Sequence, residues 1–166
     1  MRALTEKEIR DSLMNCSKGQ AKRLNFAQDP AEVDWENTPF LGWGDPKSPL
    51  DSYLCAEIDG EAVGLVLRAA AKPSGAATAQ MCQMCKSVHA GAGISFMAVP
   101  LPGEAGRKGN TAGTYMCQGA ACLDYLMGRA RLEKSLQMKE TLTREEKIER
   151  AQENVEAFVR SIRDRG

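Results

Sequence analysis

Histidine occurs once in these 166 residues, aromatic residues are limited to two Trp, three Tyr and four Phe, and 22 basic side chains cancel 22 acidic ones. The charge balance removes the global field that draws a protein to a polyanion, so any nucleic-acid contact must be local. No apolar run approaches the roughly eighteen residues needed to cross a bilayer. The first residues, MRALTEKEIRD, carry charges where a secretory signal needs a continuous apolar stretch. No glycine-rich loop precedes a Lys-Ser or Lys-Thr pair as a phosphate cradle requires, and no nucleophile stands in a recognisable motif with a base. These absences predict a cytoplasmic, non-enzymatic protein with no membrane contact and no small-molecule substrate.

Hydrophobic residues make up 43% and charged residues 27%, ordinary values for a globular chain. The length suits one domain over residues 1–166. Six cysteines are many for a compartment that keeps thiols reduced, and there they point to metal binding or catalysis before disulfides.

Thr5 and Glu8 form a capping box, with Leu4 and Ile9 placed as a hydrophobic staple, so the chain opens on a helix. SKGQAKRLN follows as a basic turn or second short helix. From 26 to 52 there is no clean periodicity, and Pro30, Pro39, Pro46 and Pro49 interrupt the chain. Phe26, Trp35, Phe40 and Trp43 predict an irregular strap pinned over a sheet, with a partner surface as the alternative. YLCAEI, Asp59-Gly60 and EAVGLVLR read as a hairpin with a two-residue turn and a central second strand. Residues 69–80 read as a connector, ISFMAVPL as a strand, PGEAGRKGNTAG as a mobile turn and TYMC as the returning strand. ACLDYLMGRARLEKSLQM reads as helical, weakened at Gly128. A second capping box at Thr143 and Glu146 opens an amphipathic helix over 143–164, whose apolar stripe can pack on this core or on a second copy.

MCQMCKSVH places Cys82 and Cys85 three positions apart, and MCQGAAC adds Cys117 and Cys122 after a gap of 31 residues. Two cysteines at this spacing can point at one tetrahedral zinc, because the turn between them aims its amides at the sulfurs. The order of first pair, strand hairpin, second pair and helix is that of a treble-clef zinc finger, here over about 80–135. A redox pair would need an exposed, reactive sulfur and no second pair nearby, and a disulfide framework suits another compartment. Four thiolates leave no position for an activated water, so one Zn2+ is expected in a structural role. His89 is expected as a bystander or as a substitute for one thiolate, and Cys16 and Cys55 as ordinary buried thiols. The expected fold class is α+β: a small antiparallel sheet with flanking helices and an appended four-cysteine treble-clef finger.

NCSKGQAKRLN (15–25), FLGWGDP (40–46), the Asp-Gly hairpin and the two cysteine pairs together resemble actinobacterial proteins of the FBP type. Their C-terminal zinc-finger domain is shared with fusidic-acid resistance proteins of the FusB type, which bind elongation factor G. The resemblance implies zinc ligation by Cys82, Cys85, Cys117 and Cys122, and binding to elongation factor G, with release of that factor from the ribosome as a further implication. The resistance proteins also have an N-terminal helical bundle, whereas at most one or two short helices are expected here before the strap, a departure that bears on resistance more than on binding. Gln83 and Met84 at the first knuckle, with Arg107 and Lys108 at the hairpin tip, are the expected partner contacts. The alternative is an RNA- or ribosome-binding protein, with contact to ribosomal RNA through Lys18, Lys22, Arg23, Arg107 and Lys108 as one patch.

Overall fold

The computed structural model describes residues 1–70, 79–89, 93–130 and 140–166. Most of the expected connector at 69–80, and the helical reading of 131–138, lie outside those residues. Helix α1 (Glu6–Ser12) starts as its capping box predicts: Glu8 N–H donates to the Thr5 hydroxyl, and Thr5 N–H donates to the Glu8 carboxylate at 2.8 Å. Leu4 and Ile9 are both buried beside it, closing the staple. The ambiguous basic segment becomes helix α2 (Lys18–Arg23), because Ser17 and Gln20 form a capping box of their own.

Among the described residues five strands form one antiparallel sheet in the order β1-β2-β3-β6-β7. They are β1 (Phe40–Asp45), β2 (Ser48–Ile58), β3 (Glu61–Ala69), β6 (Ile94–Pro100) and β7 (Thr111–Cys117). β4 (Gln80–Met81) and β5 (Val88–His89) make a separate two-stranded ribbon. Asp59 and Gly60 adopt φ of 56° and 83°, the left-handed pair that a two-residue hairpin turn needs, and β3 is central as expected.

The irregular strap does not extend to residue 52. It holds 3-10 turns at Pro30–Glu32 and Trp35–Asn37 and then gives way to β1 and the first half of β2. Gly42 and Gly44 hide the two-residue alternation of β1, which is why its sequence reads as irregular. The rings do pin the chain: Phe26 stacks on Trp43 at 5.4 Å, Trp43 meets Tyr53 at 4.9 Å, and the Trp35 indole donates to the Pro30 carbonyl.

Alternation along β2 sends Tyr53 and Cys55 to one face, under α1, α2 and the strap, and Leu54, Ala56 and Ile58 to the other. Helix α5 (Arg144–Arg163) covers that second face, with Ala151, Val155, Val159 and Ile162 fully buried. Its stripe therefore packs on this chain's own sheet. The finger hairpin is likewise not appended but continuous with the sheet, since β6 pairs with β3 at Arg68↔Ala98 and Ala69↔Met97. The expected mobile turn at its tip is a short helix, α3 (Gly103–Arg107), where Lys108 pairs with Glu104 one turn earlier at 2.7 Å. Helix α4 (Cys122–Leu126) ends where Gly128 turns left-handed at φ 72°, so that glycine terminates the helix rather than weakening its interior. No helix of the described residues is long and apolar enough to cross a membrane.

The motifs at 15–25 and 40–46 meet at buried Asp45. Its carboxylate accepts hydrogen bonds from the main chain of Lys47 (2.8 Å) and Ser48 (3.2 Å), the Asn25 side chain (3.0 Å) and the Tyr53 hydroxyl (2.9 Å). Burial opposes ionisation, but these donors outweigh it and hold the carboxyl below its ordinary value. A depressed carboxyl stabilises the fold fully above its unfolded pKa, near 3.9, and that share is lost as pH falls toward the folded value. Asp45→Ala should lower the unfolding free energy by about 3 kcal/mol, because it strands several buried donors. Asp45→Asn should lower it at neutral pH and flatten its fall in acid, which urea titrations at stepped pH will show.

Candidate metal centre

The first cysteine pair sits in the turn between β4 and β5. Lys86 N–H closes that turn on the Cys82 carbonyl at 3.0 Å, Cys82 N–H donates to the Ser87 carbonyl at 2.9 Å, and Lys86 takes φ of 60°. The second pair joins the end of β7 to the start of α4. Its four intervening residues reverse the chain because Gly119 and Ala120 are consecutive left-handed residues, at φ 67° and 54°. The wide spacing is thus a tight turn with a different backbone path.

Sγ atoms of Cys82, Cys85, Cys117 and Cys122 all lie within 4.8 Å of one another, and the four residues are at most 1% exposed. Cys82 to Cys122 is 3.6 Å and Cys85 to Cys117 is 3.5 Å. Sulfurs around a tetrahedral zinc, each bonded at about 2.3 Å, stand about 3.8 Å apart. The cluster therefore fits one structural Zn2+ closely, and its all-sulfur donor set favours that ion over hard cations. With protons in place of the metal, hydrogen bonds from Cys117 and Cys122 lower the Cys82 thiol, whereas the bonds that Cys122 makes to Cys117 and Cys82 raise Cys122. Metal binding displaces such protons, so affinity falls as pH falls.

Three groups support the sulfurs from behind, and the sequence shows none of them as such. His89 lies on β5 outside the four-sulfur cluster and packs against it: it is 2% exposed, its Nε2 lies 3.7 Å from the Cys117 sulfur, and its ring meets Tyr125 edge-on at 5.0 Å. It also does not replace a thiolate, since four sulfurs complete the cluster. Asn154 and Arg150 of α5 donate to the carbonyls of Met84 (2.8 Å) and Cys85 (3.3 Å), so the C-terminal helix grips the first knuckle. Gly42 and Gly44 of β1 lie under the second knuckle, where a Cβ on Gly42 would stand 2.4 Å from the Ala120 carbonyl oxygen. The only sequence signal for that contact is a Gly-x-Gly inside a strand.

The expected partner contacts divide. Gln83 is exposed and its N–H donates to the Tyr115 carbonyl at 2.8 Å. Met84 is a correction: it does not project from the knuckle but is 3% exposed, turned into the core under α5. Arg107 and Lys108 are exposed at the far end of the β6–β7 hairpin, whose register runs from Ile94↔Cys117 to Pro100↔Thr111. That length is about 20 Å. Lys18 and Lys22 line a groove with Glu6 and Asp11, and Arg23 lines another with Asp45 and Asp51. Cys55 is fully buried, and burial pushes its thiol up to about 11; Cys16 is only half-buried.

A family model for the FBP C-terminal treble-clef zinc-finger matches residues 8–162. No curated protein matches the sequence. Among solved structures, the fusidic acid resistance protein FusC is similar at 16% identity and a TM-score of 0.40, over 61% of this chain and 46% of that one. The chain thus spans just under half the length of that protein. The matched family span takes in both cysteine pairs, the hairpin between them and almost all of α5. With its knuckle, hairpin, knuckle and helix closing four sulfurs around one point, the chain belongs to the FBP C-terminal treble-clef zinc-finger family.

Proposed function

We propose that this chain is a non-enzymatic, zinc-braced binding module whose partner is elongation factor G, met through the exposed face of the finger hairpin. The observation that carries the choice of face is an aromatic pair. Phe96 and Tyr115 are 43% and 42% exposed, stand opposite each other on β6 and β7, and meet edge-on at 5.3 Å. Met81 is 37% exposed, and these three are the large exposed hydrophobics of the described residues. Gly113 lies beneath the Phe96 ring, where a Cβ would stand 2.1 Å from Cζ, so the ring is held flat against the strand. Pre-ordered aromatics of this kind are the usual anchors of a protein interface. Gln83 borders the same face.

Elongation factor G as the partner rests on the motif resemblance together with membership of the family. On that reading the protein works in the cytoplasm and promotes release of the factor from the ribosome. Arg107 and Lys108 would make a second contact at the other end of the hairpin. The RNA-binding alternative has less support, because Lys18, Lys22, Arg23 and Lys108 each stand near carboxylates.

Titration calorimetry with purified elongation factor G tests this. Wild-type protein should bind, Phe96→Ser with Tyr115→Ser should weaken binding about 30-fold or more, as loss of an anchor worth about 2 kcal/mol implies, and zinc content should stay at one per chain. Charge reversal at Arg107 and Lys108 should cost less, roughly threefold to tenfold, and grow at low salt. No binding by the wild type, or full binding by the aromatic variant, would overturn the respective part.

A further inference from the structure

At the opposite edge of the sheet, β1 is an outer strand. Among the described residues, none outside β2 hydrogen-bonds to the main chain of Phe40 through Gly44. Beside this edge runs a groove of about 360 Å3, bounded by the 3-10 turns of the strap on one side and by α4 on the other. Phe26, Val33 and Leu41, all part-exposed, give it an apolar lining. Among the described residues its polar rim is one-sided: Glu32, Asp34 and Asp124 face one cation, Arg129, whose guanidinium stands 3.8 Å from Asp124. Leu123 and Asp124 directly follow the metal-ligating Cys122, so the α4 wall is held in place by the metal centre.

We infer that this groove receives an extended, basic and apolar segment of a partner protein, which adds a strand to the free edge of β1. An open strand edge offers main-chain hydrogen bonds to any extended chain, and flanking pockets then select its alternate side chains. An apolar lining takes hydrophobic side chains at every second position, and the carboxylate excess takes Lys or Arg at the flanks. The same excess disfavours nucleic acid. This also accounts for the long strap, which supplies one wall and two of the three acidic groups. The inference stands apart from the finger face, since it uses the other edge of the sheet.

The test is selection of random short peptides displayed on phage against the zinc-loaded wild-type chain, with a parallel selection against Val33→Arg and against Glu32→Lys. Enriched peptides should alternate apolar residues with Lys or Arg and lack proline at the pairing positions. By fluorescence anisotropy their synthetic forms should bind Val33→Arg and Glu32→Lys about tenfold or more weakly, and methylating a pairing main-chain amide should abolish binding. Unchanged zinc content and circular dichroism establish that both variants fold. Enrichment no greater than on the Val33→Arg variant, acidic peptides, or binding indifferent to amide methylation would overturn the inference. A dimer in sedimentation that Val33→Arg dissolves would also overturn it, since a second copy would then be the occupant.

Discussion

Removing the metal is expected to cost this protein its finger and most of its stability. Protein purified without chelator should carry one zinc per chain by plasma mass spectrometry, and stripping it should abolish the cooperative melt until zinc is returned. A structural zinc site contributes on the order of 10 kcal/mol. A whole domain of this size is stable by only about 5 to 15 kcal/mol. The balance is tighter here because the four cysteines belong to the main core, packed with Met97, Met116, Leu123 and the buried stripe of α5. Loss of the ion leaves four thiol groups in contact with one another and buried, and it leaves the β4–β5 ribbon tied down by the hydrogen bonds of Gln83, Met84 and Cys85 to β7 and α5. Cys117→Ser should mimic chelation, with zinc content well below one and exchange-protected amides lost from β6 and β7. An unaltered melting profile at zero zinc would show that the sulfurs pack as ordinary thiols and that the module is not metal-braced.

Gly42→Ala is expected to damage the metal centre by adding a single methyl outside it. Its Cβ would stand 2.4 Å from the Ala120 carbonyl oxygen and 3.2 Å from the Ala120 Cβ. The obstacle is backbone, so no rotamer change relieves it. Ala120 in turn cannot retreat, because it sits in the left-handed turn that delivers Cys122 to the metal. Overpacking of this kind costs about 3 kcal/mol, and here the strain should also appear in the metal site as faster zinc loss to a competing chelator. Gly60→Ala is the matched control: nothing lies within 4 Å of its Cβ, and its penalty should be limited to the left-handed φ of 83°, about 1 kcal/mol. Equal melting shifts for the two variants would remove the claim that β1 and the second knuckle are interlocked.

The parts that were legible share one property: their determinants lie within a few residues. Thr5 with Glu8 and Thr143 with Glu146 mark helix starts because a cap is satisfied three positions away. Asp59-Gly60 marks its turn because two left-handed residues suffice. The cysteine pairs mark the metal site because each knuckle is a local turn, and only the union of the two is long-range. β1 was illegible because its two glycines answer to a turn some 75 residues downstream, not to their strand. The tip helix α3 was illegible because four glycines mask one Glu104–Lys108 pair. Met84 was misplaced because its exposure is set by α5, whose Asn154 and Arg150 reach back across 70 and 65 residues to the first knuckle.

By itself the sequence determined the chemistry: which four sulfurs are available, that they come in two turns, and that helices and a hairpin flank them. Tertiary structure alone decided what that chemistry is joined to. It set the finger hairpin into the main sheet, put His89 behind a sulfur and, among the described residues, left one aromatic pair exposed and the edge of β1 unpaired. The reason is physical. Ligand spacing, capping and turn preference are satisfied by neighbours along the chain, whereas burial and exposure depend on which distant surfaces arrive to exclude water.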